Sequence, residues 1–198
     1  MKLIKTFLIL TIFLTITIPS KESNLFVQKN SHNFFIENKG QWSKEVKYLA
    51  RIGGMNAWIT DFGIVYDYYK IIKNYNVNEL SKIPLYEKEK FESGHTSIKG
   101  HIIKSVFINR SYNQSYITKG KKETYFNYFI GNDKSKWASF VPLYEGVTVK
   151  EIYNGIDIKY YFDKNLLRYD FIVKPGADIS QINIGFEGTD DLNVTDKG

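Results

Sequence analysis

Three groups of side chains carry the chemistry this sequence could perform. Trp42, Trp58 and Trp137 are its tryptophans. Trp42 follows Gln41, and Trp137 lies just after Asn132 and Asp133. A flat indole beside carboxamide or carboxylate groups is the combination that stacks on a sugar ring and hydrogen-bonds its hydroxyls, so these six residues form the candidate ligand site. Large aromatics also dominate burial in β-sandwiches, which gives the same tryptophans a core or rim role.

The second group is acidic. Glycoside hydrolysis needs two carboxylates across a cleft, and Glu37, Asp61, Asp67, Asp157 and Asp170 fall in or beside apolar segments. Asp157 and Asp170 sit on the outward face of one hairpin with Lys159 and Arg168, where cross-strand ion pairing accounts for them. No catalytic residue is assigned on this basis. The third group is His32, His95 and His101, the last two six residues apart with no carboxylate at ligand spacing. That pattern gives no transition-metal site and suits solvated or capping histidines. Asp190, Asp191 and Asp196 lack a compact calcium loop and read as turn residues. The reading assigns neither metal nor cofactor.

Other chemistry has no motif to stand on. The sequence contains no cysteine, which removes disulfides, thiolate catalysis and lipidation at an N-terminal Cys. It has no phosphate-binding Gly-rich loop and no Gly-x-Ser-x-Gly elbow. Asp61-Phe62-Gly63 matches a kinase triplet in isolation and reads as a turn. Three Asn-x-Ser/Thr matches begin at Asn109, Asn113 and Asn193. The charge is +6, with 27 Lys and Arg against 21 Asp and Glu. Lys121-Lys122 is the one adjacent basic pair beyond the N-terminal segment. Nucleic-acid recognition gathers basic residues on one face, so scattered lysines read as a solvated surface.

These residues need a frame, and the stretch from Gly155 to Pro175 supplies its pattern. Ile156, Ile158, Tyr160 and Phe162 alternate with Asp157, Lys159, Tyr161 and Asp163. After Asp163-Lys164-Asn165, Leu167, Tyr169, Phe171 and Val173 resume the apolar face. This predicts an antiparallel hairpin with one buried face, which requires further strands beneath it. Strand-like runs recur at 46–52, 55–60, 64–72, 100–109, 112–118, 125–130, 141–153 and 182–186. Aromatic residues make up 16% of the 198, a composition suited to pleated, half-buried surfaces. The expected fold is all-β, an antiparallel sandwich or barrel-like domain of about ten strands.

Around that domain, residues 1–23 read as a secretory signal peptide, with Lys2 and Lys5 ahead of an apolar run from Thr6 to Ile18. An uncleaved anchor is the competing reading of that run. Residues 24–33 read as a flexible lead-in, and 34–198 as the domain. Within it, 73–99 reads as a long surface loop or insertion with a helical turn near Glu79 to Lys82. Phe34 to Trp42 and Tyr128 to Trp137 echo one another, an aromatic pair followed by Ile, Asn and Trp, as a duplicated strand-turn unit would. Asp196-Lys197-Gly198 is a turn with no strand after it, the pattern of a chain cut from a longer one.

FIENKGQW, KYLARIGGMNAWITDFGIVYDYY, YFNYFIGNDKSKW, YNGIDIKYYF and LRYDFIVKPGADISQINIGFEG are the phrases that carry a resemblance. Together, across about Phe34 to Gly188, they resemble an uncharacterised N-terminal all-β module of secreted proteins from the Bacteroidota and neighbouring phyla. In that family the module precedes β-propeller-type repeats, other extracellular β domains and a C-terminal sorting domain. The resemblance implies export and an extracellular or cell-surface setting. It brings no catalytic residues. Here the 73–99 segment departs from the family's usual connection, and the repeats and sorting domain are not in the sequence. The function expected is a non-catalytic structural or interaction module whose partners are neighbouring extracellular β domains or surface proteins. A carbohydrate-binding module is the second reading and a glycan-active enzyme the third. Nucleic acid is not an expected partner.

Overall fold

A computed structural model describes residues 33–193. The expected signal peptide, nearly all of the lead-in, His32 and the Asp196 turn lie outside them. The strands run in chain order as β1 (Phe35–Glu37), β2 (Val46–Ile52), β3 (Met55–Thr60), β4 (Gly63–Lys73), β5 (Thr96–Phe107) and β6 (Ser115–Lys119). They continue as β7 (Tyr125–Tyr128), β8 (Ala138–Tyr144), β9 (Gly146–Tyr153), β10 (Ile156–Asp163), β11 (Leu166–Val173) and β12 (Ile184–Glu187). An eight-stranded sheet has the order β12-β5-β4-β3-β2-β1-β8-β7, and a four-stranded sheet the order β11-β10-β9-β6. The described pairings are antiparallel. The two sheets share one buried layer, so the fold is an all-β sandwich.

The β10–β11 hairpin follows from its alternation. Lys164 and Asn165 both take positive φ, 47° and 67°, the two-residue turn whose twist suits a tight hairpin. Pairing then runs from Ile156↔Val173 to Asp163↔Leu166. Ile156, Ile158 and Tyr160 point into the shared layer and are fully buried there, with Phe35, Ile59, Ile64 and Phe107 of the large sheet facing them.

The large sheet is buried on both faces at its centre. Phe35, Tyr48, Ala50, Ala57 and Ile59 serve the shared layer, while their neighbours Ile36, Leu49 and Trp58 turn to the opposite face. There they form a second core with Tyr128, Ala138, Val141, Leu143, Phe34, Trp42 and Phe126. Two-sided burial is why these segments read as nearly continuous apolar runs.

Three expectations change. The run 141–153 is two strands in different sheets, since the chain leaves β8 at Tyr144 and enters β9 at Gly146. No Pro or Gly pair marks that crossing, so apolarity on both sides hid it. The 73–99 segment is largely built: β4 and β5 pair out to Lys73↔Thr96. Helix α1 (Val77–Ser81), a 3-10 turn and helix α2 (Lys88–Gly94) join them, with a capping box between Asn76 and Glu79. The helical turn and the reach of β4 were foreseen to within a residue; the start of β5 at Thr96, four residues before the expected Gly100, was not. The echoing motifs are not a structural repeat either. Asn38 organises its turn through its own carboxamide, whereas Asp133 of the second motif caps a 3-10 helix.

The β4–β5 pair also outruns its sheet. β3 accompanies β4 only as far as Met55↔Tyr68, so beyond Tyr68 the pair stands as a two-stranded arm. At its other end β4 starts at Gly63, whose φ is +151° and where any Cβ would run into the Ser105 carbonyl oxygen.

Candidate functional site

The turn after β1 is held by one side chain. The Asn38 carboxamide donates to the carbonyls of Trp42, Ser43 and Val46, and its oxygen accepts from the N–H groups of Gly40 and Trp42. Gln41 turns back on the same loop, donating to the Glu37 carbonyl at 2.8 Å and accepting from the Lys39 N–H at 2.7 Å. The loop presents Trp42, whose ring meets Trp58 edge-on at 5.3 Å and Tyr128 at 5.4 Å. Both tryptophans are therefore anchored in the second core and half-buried.

Beside Trp42 opens a cleft of about 530 Å³, lined by Glu37, Lys44, Lys47, Tyr48 and Tyr116 among others. Tyr48 and Tyr116 come from different sheets, with rings 6.0 Å apart. Burial pushes both phenols up, Tyr116 to about 12. The Glu37 carboxylate accepts from the Tyr144 hydroxyl at 2.9 Å and lies 3.5 Å from the Lys39 ammonium. Lys47 donates to the Lys44 carbonyl and stands 3.7 Å from Asp61. The arrangement is an open, aromatic-walled recess with charges at its rim.

Trp137 belongs elsewhere in the contact scheme. It is 38% exposed, packs on Phe129 at 5.6 Å, and donates its indole N–H to the Gly131 carbonyl. Lys134 lies over its ring. Asp133 uses its carboxylate on the Ser135 N–H and hydroxyl, which holds its pKa below the usual range. Asn132 is exposed in the same turn. Of the six sequence candidates only Trp42 lines the recess: Trp58 packs behind it in the second core, Gln41 spends its carboxamide on its own loop, and Asn132, Asp133 and Trp137 form a self-contained turn. Lys44, Lys47, Tyr48 and Tyr116 were missed. Tyr48 alternates visibly in β2, but nothing local places Tyr116 of β6 beside it.

The strand carboxylates each have a partner. Asp67 accepts from Asn56, and Asp170 accepts from the Tyr161 hydroxyl in place of the expected cross-strand ion pair, since Lys159 lies over the Tyr161 ring and Arg168 pairs with Asp163. Asp157 is the correction to the sequence reading: it is buried, not outward, and its partner is Lys150. A bulge in β9, with Glu151 at φ 54°, places the Glu151 N–H on its second oxygen at 2.9 Å. Burial alone raises the Asp157 pKa, but the Lys150 hydrogen bond, the Glu151 N–H and the charges of Lys150 and Lys174 outweigh it and leave the carboxyl below its usual range. His95 closes α2, donating from Nδ1 to the Phe91 carbonyl at 2.8 Å, and His101 donates from Nε2 to the Gly188 carbonyl at 2.7 Å. Among the described residues no three His, Asp or Glu gather closely enough to hold a metal ion.

A domain-family model, described as a domain of unknown function (DUF7948), matches residues 35–198. The chain belongs to the DUF7948 family. The matched region takes in both sheets, the arm and the recess of this DUF7948 domain. No curated protein matches the chain, and no solved structure does. No helix among the described residues is long and apolar enough to cross a membrane.

Proposed function

We propose that this DUF7948 chain is a non-catalytic structural and interaction module of an exported protein, working outside the cell or at its surface. The carrying observation is the arm. Ile71 and Ile98 are directly opposed on one of its faces, with Ile102 farther along, and they are 37%, 68% and 53% exposed. Val77, Leu85 and Tyr86 at its end are 80% exposed or more. Apolar side chains clustered on a projecting ribbon mark a contact surface. The partner class comes from the resemblance to modules that precede propeller-type repeats and a sorting domain in exported Bacteroidota proteins, so the arm's partner is a neighbouring extracellular β domain.

The test is a double substitution, Ile71→Asp with Ile98→Asp, in the protein expressed in its native host. Loss of a high-mass species on a native gel, with the chain still exported and folded, is the expected result. Unchanged migration would sink the proposal.

The recess beside Trp42 supports a second reading, a carbohydrate-binding module in which Trp42, Tyr48 and Tyr116 wall a glycan subsite. A Trp42→Phe variant that alters the response of tryptophan emission to a neutral glycan would favour it over the first.

A further inference from the structure

The other face of the arm carries an arrangement that structure alone does not need. Lys70 and Lys99 are directly opposed in the β4–β5 ladder. Opposed side chains in an antiparallel pair have Cβ atoms about 5 Å apart, and like charges there are destabilising. Neither lysine makes an ion pair or hydrogen bond among the described residues. The next pair on the same face is Tyr68↔His101. Tyr68 is 44% exposed because its neighbour Tyr66, two residues back, is the last ring of β4 packed against the shared core. His101 is steadied by the Gly188 carbonyl.

These four residues line a depression of about 380 Å³, which Gly54, Tyr69 and Gly100 complete. The depression is shallow and open to solvent, so a ligand there would be held from one side. The ion pair of Lys104 with Glu187, at 2.9 Å, lies on the opposite face of β5. Two exposed lysines opposed in the ladder, with no ion-pair partner among the described residues and a part-exposed phenol ring beside them, offer a seat for an anion carried on a flat-faced ring.

We propose that this face of the arm binds an acidic saccharide, with its carboxylate or sulfate between Lys70 and Lys99 and its ring against Tyr68. A bound oxyanion would turn the repulsive pair into two charge-assisted hydrogen bonds. One lysine pair and one ring suit a single charged sugar unit, whereas nucleic acid draws on many phosphate contacts along its length. The site does not depend on the docking role, which uses the apolar face.

Isothermal titration of the full chain with oligogalacturonate, neutral dextran and a single-stranded DNA oligomer of matched charge tests this. Oligogalacturonate should bind more tightly at low salt than at high, and dextran should not bind. Lys70→Gln with Lys99→Gln should weaken binding about tenfold, the yield of two exposed ion pairs, without lowering the melting temperature. Lys70→Arg with Lys99→Arg should retain it. Tyr68→Ala should lose affinity with little change in salt dependence, and Ile71→Asp should bind like the parent. No binding of oligogalacturonate, equal binding by the Gln variant, or tighter binding of the DNA would each overturn the proposal. So would an equal loss from Lys119→Gln with Lys159→Gln on the small sheet, because general electrostatics would then suffice.

Discussion

Asp157 is the residue on which the small sheet turns. It is 2% exposed and ties a bulged stretch of β9 to β10 through Lys150 and the Glu151 N–H. Replacing it by Asn removes the charge and leaves a buried, weaker acceptor beside an ammonium group that still reaches water. We expect Asp157→Asn to cost about 2 kcal/mol, toward the low end for breaking a buried charged pair. Urea unfolding of variant and parent measures this. The pH dependence has a definite sign. A carboxyl whose folded pKa lies below its unfolded value stabilises the fold above the unfolded value, and that contribution is lost as pH falls through the folded one. Asp157 is lowered in this way. The melting temperature should therefore hold through neutral pH and decline below about pH 4, where unfolded Asp titrates. The Asn variant should decline less over that interval. This residue was misread from sequence because strict alternation assigns every odd position of β10 to solvent. The bulge that buries Asp157 depends on Glu151 adopting a positive φ, which has no signature in a Val-Lys-Glu-Ile run.

At the scale of elements, turns were the legible features. Asp163-Lys164-Asn165 and Gly53-Gly54 sit where the sequence put them, between paired strands. The Asp61-Phe62-Gly63 bend has a stricter requirement. Gly63→Ala would set a methyl group against the Ser105 carbonyl at a φ that L-residues rarely adopt, so a loss of at least about 2 kcal/mol is expected in thermal or denaturant unfolding. The arm should behave in the opposite way. Its two helices bury no residue, and Lys73 and Thr96 face each other across the ladder. Replacing residues 74–95 with Asn-Gly, a two-residue hairpin turn, should leave the unfolding midpoint nearly unchanged while removing Val77, Leu85 and Tyr86. A large drop in midpoint would instead make this segment part of the folding unit. The first four residues of β5 were hard to read because neither face of the arm is covered at its far end. Lys70-Ile71-Ile72-Lys73 and Ser97-Ile98-Lys99 consequently lack the alternation that a buried face enforces.

For the whole molecule, alternation in the hairpins sufficed to indicate a sandwich, since one buried face per strand demands a second sheet. It could not reveal the second core behind the large sheet. Phe35-Ile36 and Tyr48-Leu49-Ala50 are apolar at consecutive positions, and such runs do not say what covers each face. The recess beside Trp42 was half legible for a related reason: its loop is local, but Tyr116 arrives from a strand of the other sheet. What emerges is a doubly cored sandwich holding out an arm, with Ile71, Ile98 and Ile102 on one face and the opposed Lys70 and Lys99 on the other. The central claim is that the isoleucine side meets another extracellular protein. The most direct measurement places a photo-crosslinking residue at Ile98, and as a control at Lys159 on the small sheet, in the protein expressed in its native host. A discrete adduct from position 98 with an extracellular β-domain protein, abolished by Ile71→Asp and absent from position 159, is the expected result. No adduct from 98, or the same products from both positions, would contradict the account.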